Sequence, residues 1–297
     1  MIDLSDFEGQ LRYQRGQLLV CPPEKEATPV PLADVGVVLL GLKTSVGGAV
    51  LHQLAEFDVI VLVCDWRGVP IGGLYGWHAH SRVGARHLAQ AEVSLPRQKN
   101  AWAQIVRAKI MGQAENLRCR NHPDFRSLAN MAKAVRSGDP DNLEAQAARF
   151  YWKRIFGDAK FSRDPGGGLG RNAQLDYGYM ILRAHAVRAV LSAGLSPSLG
   201  LFHRGRSNFF NLADDLIEPF RPAVDWTVSG LTAEMTPNHP GVKAQLVAAS
   251  AQAFTVSGLS VAACLTDLAQ QLGQYFENSV PKLLVDNWSP SSLSVDS

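Results

Sequence analysis

Near residue 80 the spacing of apolar residues changes, and that change limits the folds open to the chain. From about Tyr13 to Tyr75 the apolar residues come in short runs, QLLVCP, VGVVLLG, VIVLVCD and IGGLYGW, bounded by Gly, Pro and Asp. Short β-branched runs of this kind predict strands. Within them, SVGGAVLHQLAEF over residues 45–57 has apolar residues at 46, 50, 51 and 54, a helical period with Ser45 placed as N-cap. Beyond residue 80, RVGARHLAQAEV, QKNAWAQIVRAKIMGQAENLRC, FRSLANMAKAVRSG, NLEAQAARFYWKRIF, LDYGYMILRAHAVRAVLSAG and VKAQLVAASAQAF all repeat at three and four residues. The predicted fold is therefore α+β. A small β-rich domain over 1–80 precedes a linker and first helix over 81–100, an all-α domain over 101–285 and a flexible Ser-rich tail over 286–297.

At 297 residues and 46% hydrophobic, the chain has the material for two cores. Its net charge is only +2, but residues 82–136 hold 11 Lys and Arg against 3 acids. Such a block is either a set of solvated helix faces or a groove that neutralises phosphates. Cys21, Cys64, Cys119 and Cys264 form no C-x-x-C pair and read as free thiols. The first residues, MIDLSDFEGQ, do not resemble a leader, and no uncharged run approaches the length of a membrane span. A soluble, cytoplasmic protein is expected.

Residues 202–222, FHRGRSNFFNLADDLIEPFRP, carry the densest mixture of chemistry-bearing side chains. With a helix starting near Ser207, Phe209, Leu212, Leu216 and Phe220 fall on one stripe, and Asn211, Asp214, Asp215 and Glu218 on the other. That pattern suits an ordinary polar face. Pro219, however, disfavours helical geometry at Glu218 and removes a hydrogen bond there. His203, Arg204, Arg206 and Arg221 flank the acids, a setting that could hold a cation and meet phosphates.

Glu144, in DPDNLEAQAARFYWKRIF, has two readings. Asp141-x-x-Glu144 has the spacing of a capping box after Pro140, while Arg149, Lys153 and Arg154 make one face of the same helix basic. The glycines of PGGGLGR, residues 165–171, lack the Lys-Ser/Thr of a phosphate loop and read as a flexible interhelical loop. His78 and His80 in W-H-A-H have no third ligand nearby in sequence. Neither G-x-S-x-G nor H-E-x-x-H is present.

Four blocks in register, WAQIVRAKI, NLEAQAARFYWKRIFG, NAQLDYGYMILRA and GLFHRGRSNFFNLADDLIEPFRP, together with CDWRGVPIG in the β region, resemble the CRISPR-associated integrase family, Cas protein one, in its type II form. The resemblance implies a dimerising β domain and a helical domain bearing a metal site. It assigns the metal-binding and catalytic residues to Glu144, His203 and Glu218, with Asp215 as a supporting acid and Mg²⁺ or Mn²⁺ as the cofactor. Asp176 departs from the pattern, which more often has Asn before the Tyr. The implied reaction joins prespacer 3′-hydroxyl ends to the CRISPR repeat by transesterification, with Arg149, Lys153, Arg204, Arg206 and Arg221 on DNA phosphates. Implied partners are DNA, a second copy of the chain, the small Cas protein two and further type II proteins. A nuclease of branched DNA, or a non-catalytic DNA-binding scaffold, remains open on the same residues.

Overall fold

The computed structural model describes residues 1–66, 68–77 and 80–294, so His78 of the W-H-A-H stretch lies outside the described residues. The chain divides into two compact units, Met1–Ser81 and Arg82–Ser297, with strands confined to the first and long helices to the second.

The first unit holds strands β1 (Ile2–Leu4), β2 (Gly9–Gln14), β3 (Gln17–Cys21), β4 (Thr28–Pro31), β5 (Val37–Leu40), β6 (Thr44–Val46), β7 (Ile60–Cys64) and β8 (Pro70–Leu74), and helix α1 (Gly48–Glu56). They form two four-stranded sheets, ordered β1-β5-β7-β8 and β4-β3-β2-β6. In the first sheet β5 is flanked by parallel neighbours, with Val38 opposite Ile2 and Val61, and all four of its residues are buried. A parallel strand covered on both faces reads as such an unbroken apolar run. In the second sheet β2 and β3 are joined through Arg15 and Gly16, both at positive φ, the geometry of a tight hairpin. Leu4, Leu11, Leu18, Val38, Val50, Leu54 and Val61 bring both sheets and α1 into one core.

Ser45 is not the cap of α1. It lies in β6 opposite Gln10 of β2, and the helix starts after Gly47, because the ladder with β2 takes up the backbone that a cap would need.

The second unit comprises α2 (Val83–Ala91), α3 (Leu95–Cys119), α4 (Phe125–Ala134), α5 (Leu143–Ile155), α6 (Gly170–Ser192), α7 (Asn211–Leu216), α8 (Arg221–Ser229), α9 (Pro240–Ala248) and α10 (Val261–Phe276). Helix α3 is the central element, packed by α4, α5 and α8. Ala101, Ile105, Val106, Ile110 and Leu117 are buried along it. Gly112 lets α8 approach: a Cβ there would stand 3.0 Å from Pro222 Cβ and 3.2 Å from Trp288 Cβ. One turn on, the Asn116 amide donates to Tyr151 Oη of α5 and to the Pro222 carbonyl, each at 2.8 Å. Its Oδ1 accepts from Trp288 Nε1, also at 2.8 Å.

That last bond ties down Trp288, within the segment expected to be a flexible tail. Trp288 is fully buried with its ring tilted against Phe254, and residues Pro290–Ser294 close a 3-10 turn beyond it. Burial of a large indole outweighs the disorder expected of the Ser-rich composition around it. All four cysteines are free thiols. No helix among the described residues is long and apolar enough to cross a membrane.

Candidate functional site

The stretch around His203 and Glu218 inverts the polar-face expectation. Asn211, Asp214, Asp215 and Glu218 are all buried, at most 6% exposed, whereas Phe209 of the expected apolar stripe is 61% exposed. The helix begins at Asn211 rather than near Ser207, because Asn211 turns inward and ties down the preceding loop. Its amide donates to the carbonyls of Ser198 and Gly205, and its Oδ1 accepts from Gly205 N–H. After Leu216 the chain passes through a 3-10 turn, Glu218–Phe220, before α8 resumes at Arg221. A tightened turn accommodates the N–H that Pro219 lacks.

Asp215 is fully buried and acts as the hub of the loop over residues 200–203. Its Oδ2 accepts from Leu201 N–H at 2.5 Å and Phe202 N–H at 3.0 Å. Its Oδ1 accepts from His203 N–H at 3.2 Å and pairs with His203 Nδ1 at 2.7 Å. A carboxylate can only accept, so Nδ1 carries a proton and, in the neutral ring, Nε2 keeps a free lone pair. The hydrogen bond to Asp215 raises the His203 pKa against the opposing effect of burial, and the charge of Glu218 adds to the rise. Gly200 makes the wrap possible: a Cβ would meet the His203 carbonyl at 2.4 Å and Asp215 Oδ2 at 2.8 Å. Trp102 of α3 stacks on Phe202 with ring centroids 4.5 Å apart and stands edge-on to His203.

Glu144 sits in the first turn of α5, but not as part of a capping box. Asp139 caps that helix instead, its carboxylate accepting from Leu143 N–H and Glu144 N–H at 2.9 Å each, while Asp141 pairs with Arg136. The left-handed backbone at Asn142 turns the chain so that Asp139, not Asp141, reaches the open N–H groups. The Glu144 side chain is thereby left for another partner, Lys109 of α3.

Lys109 joins the two glutamates. Its ammonium contacts Glu144 Oε1 and lies 2.5 Å from Glu218 Oε2, with a side chain only 9% exposed. Arg221 Nε holds the other oxygen of Glu218 at 2.8 Å, and its guanidinium lies over the Tyr179 ring. Burial alone would raise the Glu218 pKa, yet Arg221 and Lys109 hold it down at about 2. Burial likewise opposes the charge on Lys109, and Glu218 and Glu144 more than compensate, raising its pKa. Among the described residues, no three His, Cys, Asp or Glu side chains are gathered as a ready-made metal cluster. Two carboxylates already share one cation, and His203 stands within the field of Glu218.

The other acids have partners of their own within the fold. Asp214, expected at the surface, is buried and accepts from Arg183 Nε at 2.6 Å and Asn208 Nδ2 at 2.8 Å. Asp176 pairs with Arg163 and accepts from Gly166 N–H at 2.9 Å, which ties the Gly-rich interhelical loop to α6. Asp225 faces the Tyr179 hydroxyl, and burial pushes its pKa up to about 7.

The basic block divides unevenly. Arg86, Arg97 and Arg107 donate to backbone carbonyls inside the fold, and Arg82 and Arg136 pair with Glu277 and Asp141. Much of the local charge excess is therefore structural. Arg221, a candidate phosphate contact, is instead engaged by Glu218. Arg149, Lys153, Arg204 and Arg206 are exposed. The last two line a cleft of about 360 Å³ that opens against His203 and is shared with Gln98, Asn208 and Asn211.

Lys109, Asn116 and Asp139 escaped sequence reasoning. Lys109 had a signal: it falls four residues after Ile105 and three after Val106, on the buried stripe of α3. A lysine there requires a buried acid.

A family model described as CRISPR associated protein Cas1 matches residues 4–240. The chain is 39% identical over 247 residues to the CRISPR-associated endonuclease Cas1 of Neisseria meningitidis serogroup C strain 8013, covering 80% of this chain and 79% of that protein. In fold it is similar to a casposase bound to integration product, with a TM-score of 0.75 at 18% identity over 97% of this chain and 93% of that one. It is also similar to part of a Cas6-RT-Cas1–Cas2 complex, with a TM-score of 0.71 at 19% identity over 97% of this chain and 36% of that one.

Proposed function

The chain belongs to the CRISPR-associated Cas1 family, and from that premise we propose that it acts in spacer acquisition as a type II form. In this reading it is a metal-dependent DNA endonuclease and integrase that joins prespacer 3′-hydroxyl ends to the CRISPR repeat. The observation that carries the reading is the meeting of Glu144 and Glu218, from separate elements, around one buried cation.

The residues fit a divalent ion. Two carboxylates and one imidazole are a predominantly oxygen donor set suited to Mg²⁺ or Mn²⁺, and few protein ligands leave room for water and phosphate. Glu144, Glu218 and His203 Nε2 would hold it. When bound, such an ion offsets charge growing on the attacked phosphate and eases ionisation of the 3′-hydroxyl.

The protein's own groups do the remainder. Asp215 fixes the His203 ring and its tautomer, the usual task of a carboxylate behind a ligating histidine. Arg204 and Arg206 at the cleft, with Arg149 and Lys153 on α5, take DNA phosphates and position the duplex without reading sequence. In the reaction a prespacer 3′ oxygen bonds to phosphorus as a repeat 3′ oxygen leaves, one phosphodiester replacing another with no covalent protein intermediate.

The assembly we infer is a homodimer bridged by the small Cas protein two, joined by other type II proteins. Two features support it. The chain shares its fold with about a third of one chain of a Cas6-RT-Cas1–Cas2 complex, and the first unit exposes Trp66, Ile71 and Trp77 on and beside its edge strand β8, an apolar surface suited to self-association.

The test is a supercoiled-plasmid integration assay with the purified chain, its Cas2 partner, a prespacer and Mn²⁺. Joined product that disappears with EDTA and in Glu144→Ala, His203→Ala and Glu218→Ala is expected. Normal integration by any of the three variants would overturn the assignment, and cleavage without joining would favour the branched-DNA nuclease.

A further inference from the structure

The ammonium of Lys109 occupies the place between two carboxylates where the proposed metal would have to act. Glu144 arrives from the first turn of α5 and Glu218 from the 3-10 turn before α8, and Lys109 Nζ, projecting from α3, contacts both. Nothing else described joins these two side chains. Glu218 Oε2 is met by the Lys109 ammonium at 2.5 Å, while Arg221 engages the opposite oxygen. Without that cation, the buried Glu218 carboxylate and the half-buried Glu144 carboxylate would face one another with no charge between them, which favours separation of the two elements.

An ammonium in contact with Glu144 Oε1 and Glu218 Oε2 and a divalent ion drawn to the same pair of carboxylates repel one another at close range, so binding of one disfavours the other. Lysine suits exchange: its charge sits on a flexible four-carbon stem and carries no fixed fork. Arg221, on the opposite oxygen of Glu218, is stacked on Tyr179 and remains as a permanent partner.

We propose that Lys109 is a resident counter-ion that keeps Glu144 and Glu218 together before metal arrives and sets metal affinity by competing for their oxygens. This inference rests on the reading of Glu144 and Glu218 as metal ligands. It makes Lys109 a positioning residue whose charge opposes metal entry while its presence preserves the shape of the site.

The test is calorimetric titration of the full-length chain with Mn²⁺, beside thermal melting in EDTA and in Mn²⁺. Lys109→Met removes one unit of competing charge and is expected to tighten Mn²⁺ binding about tenfold or more, while lowering the melting temperature in EDTA and recovering it in Mn²⁺. Lys109→Arg puts a fork in the same place and is expected to weaken Mn²⁺ binding. The two variants therefore move in opposite directions, and Lys109→Arg decides the matter if the Met variant does not fold. Equal or weaker Mn²⁺ binding in Lys109→Met, or unchanged binding in Lys109→Arg, overturns the competition. Wild-type protein that binds no Mn²⁺, or binds it equally after Glu144→Gln with Glu218→Gln, overturns the metal reading itself.

Discussion

Asp215 and Glu218 lie one helical turn apart, both buried and both acidic, and the structure satisfies them by opposite means. Asp215 is surrounded by directed donors from a single loop: three backbone N–H groups and the His203 ring. Glu218 is surrounded by charges from two different helices, Lys109 of α3 and Arg221 of α8. Hydrogen bonds from a wrapped loop fix a carboxylate's orientation. A lysine ammonium fixes only its charge and can be exchanged for another cation. The site thus has one half ordered by directed hydrogen bonds, which aims His203, and another ordered by charge, which holds the glutamates, and each half breaks in its own way.

The largest expected effect lies in the charged half. Glu218→Gln should abolish plasmid integration, by about a thousandfold or more if the metal site supplies several kcal/mol to the transition state. Because Lys109 and Arg221 lose a buried partner, stability should fall by about 3–5 kcal/mol in urea unfolding. A variant with wild-type integration would dissolve the comparison.

Asp215→Asn attacks the hydrogen-bonded half. It keeps the shape but changes one acceptor into a donor, so His203 loses its fixed tautomer. We expect integration to fall about 10–100-fold, with metal affinity falling in parallel. An unchanged Mn²⁺ titration would mean that the loop serves folding alone.

Gly200→Ala tests the same wrap sterically. The added methyl would collide with the His203 carbonyl and Asp215, and unfolding should show a loss of about 1–3 kcal/mol while DNA binding in gel shifts stays normal.

A pH series separates the Glu218 pattern from the nearby Asp225, which has burial without a full counter-charge. The Glu218 pKa is depressed to about 2, so its stabilising contribution is present above the ordinary glutamate range and is lost as pH falls below about 4.5. Asp225 is raised from 3.8 to about 7, so the folded state holds its proton more tightly than the unfolded chain does. Its contribution is complete below pH 3.8 and is lost as pH rises through 7. Melting temperatures of wild type should therefore decline relative to Asp225→Asn across that window; a constant difference would contradict the assignment.

The smallest effects belong to the rim. Arg204→Ala and Arg206→Ala should each weaken DNA binding modestly and reduce the slope of log affinity against log salt by about 0.9. A slope unchanged in both would remove the cleft from the DNA path.

Much of this was legible in the sequence, and the failures have physical causes. The change of period near residue 80 marked where strands give way to helices, since alternation and the three-four repeat are imposed by backbone geometry. Strands β2, β4 and β6 were harder, because Gln10, Arg12 and Gln14 or Pro29 and Pro31 make poor apolar runs and pair through the backbone alone. Periodicity also separated Asp214, Asp215 and Glu218 from the apolar stripe of their segment, but it cannot say which face meets water. Here Phe209 meets it and the acids do not. Glu144 looked like half of a capping box because Asp139, five residues earlier, reaches the same N–H groups only through the left-handed turn at Asn142. Lys109 was legible in principle, as a charge on the buried stripe of α3, but its partners lie far along the chain.

Asn116 has a consequence for synthesis. Its three side-chain partners lie 35, 106 and 172 residues further on, so α3 leaves the ribosome long before anything can complete it. Translation at about 5–20 residues per second puts Trp288 some tens of seconds or less behind Asn116, and the helical unit must wait that long for the last partner of Asn116. The first unit closes within its own 81 residues and has no such delay. A nascent chain of this protein therefore carries a finished β unit well before its helical unit can be completed.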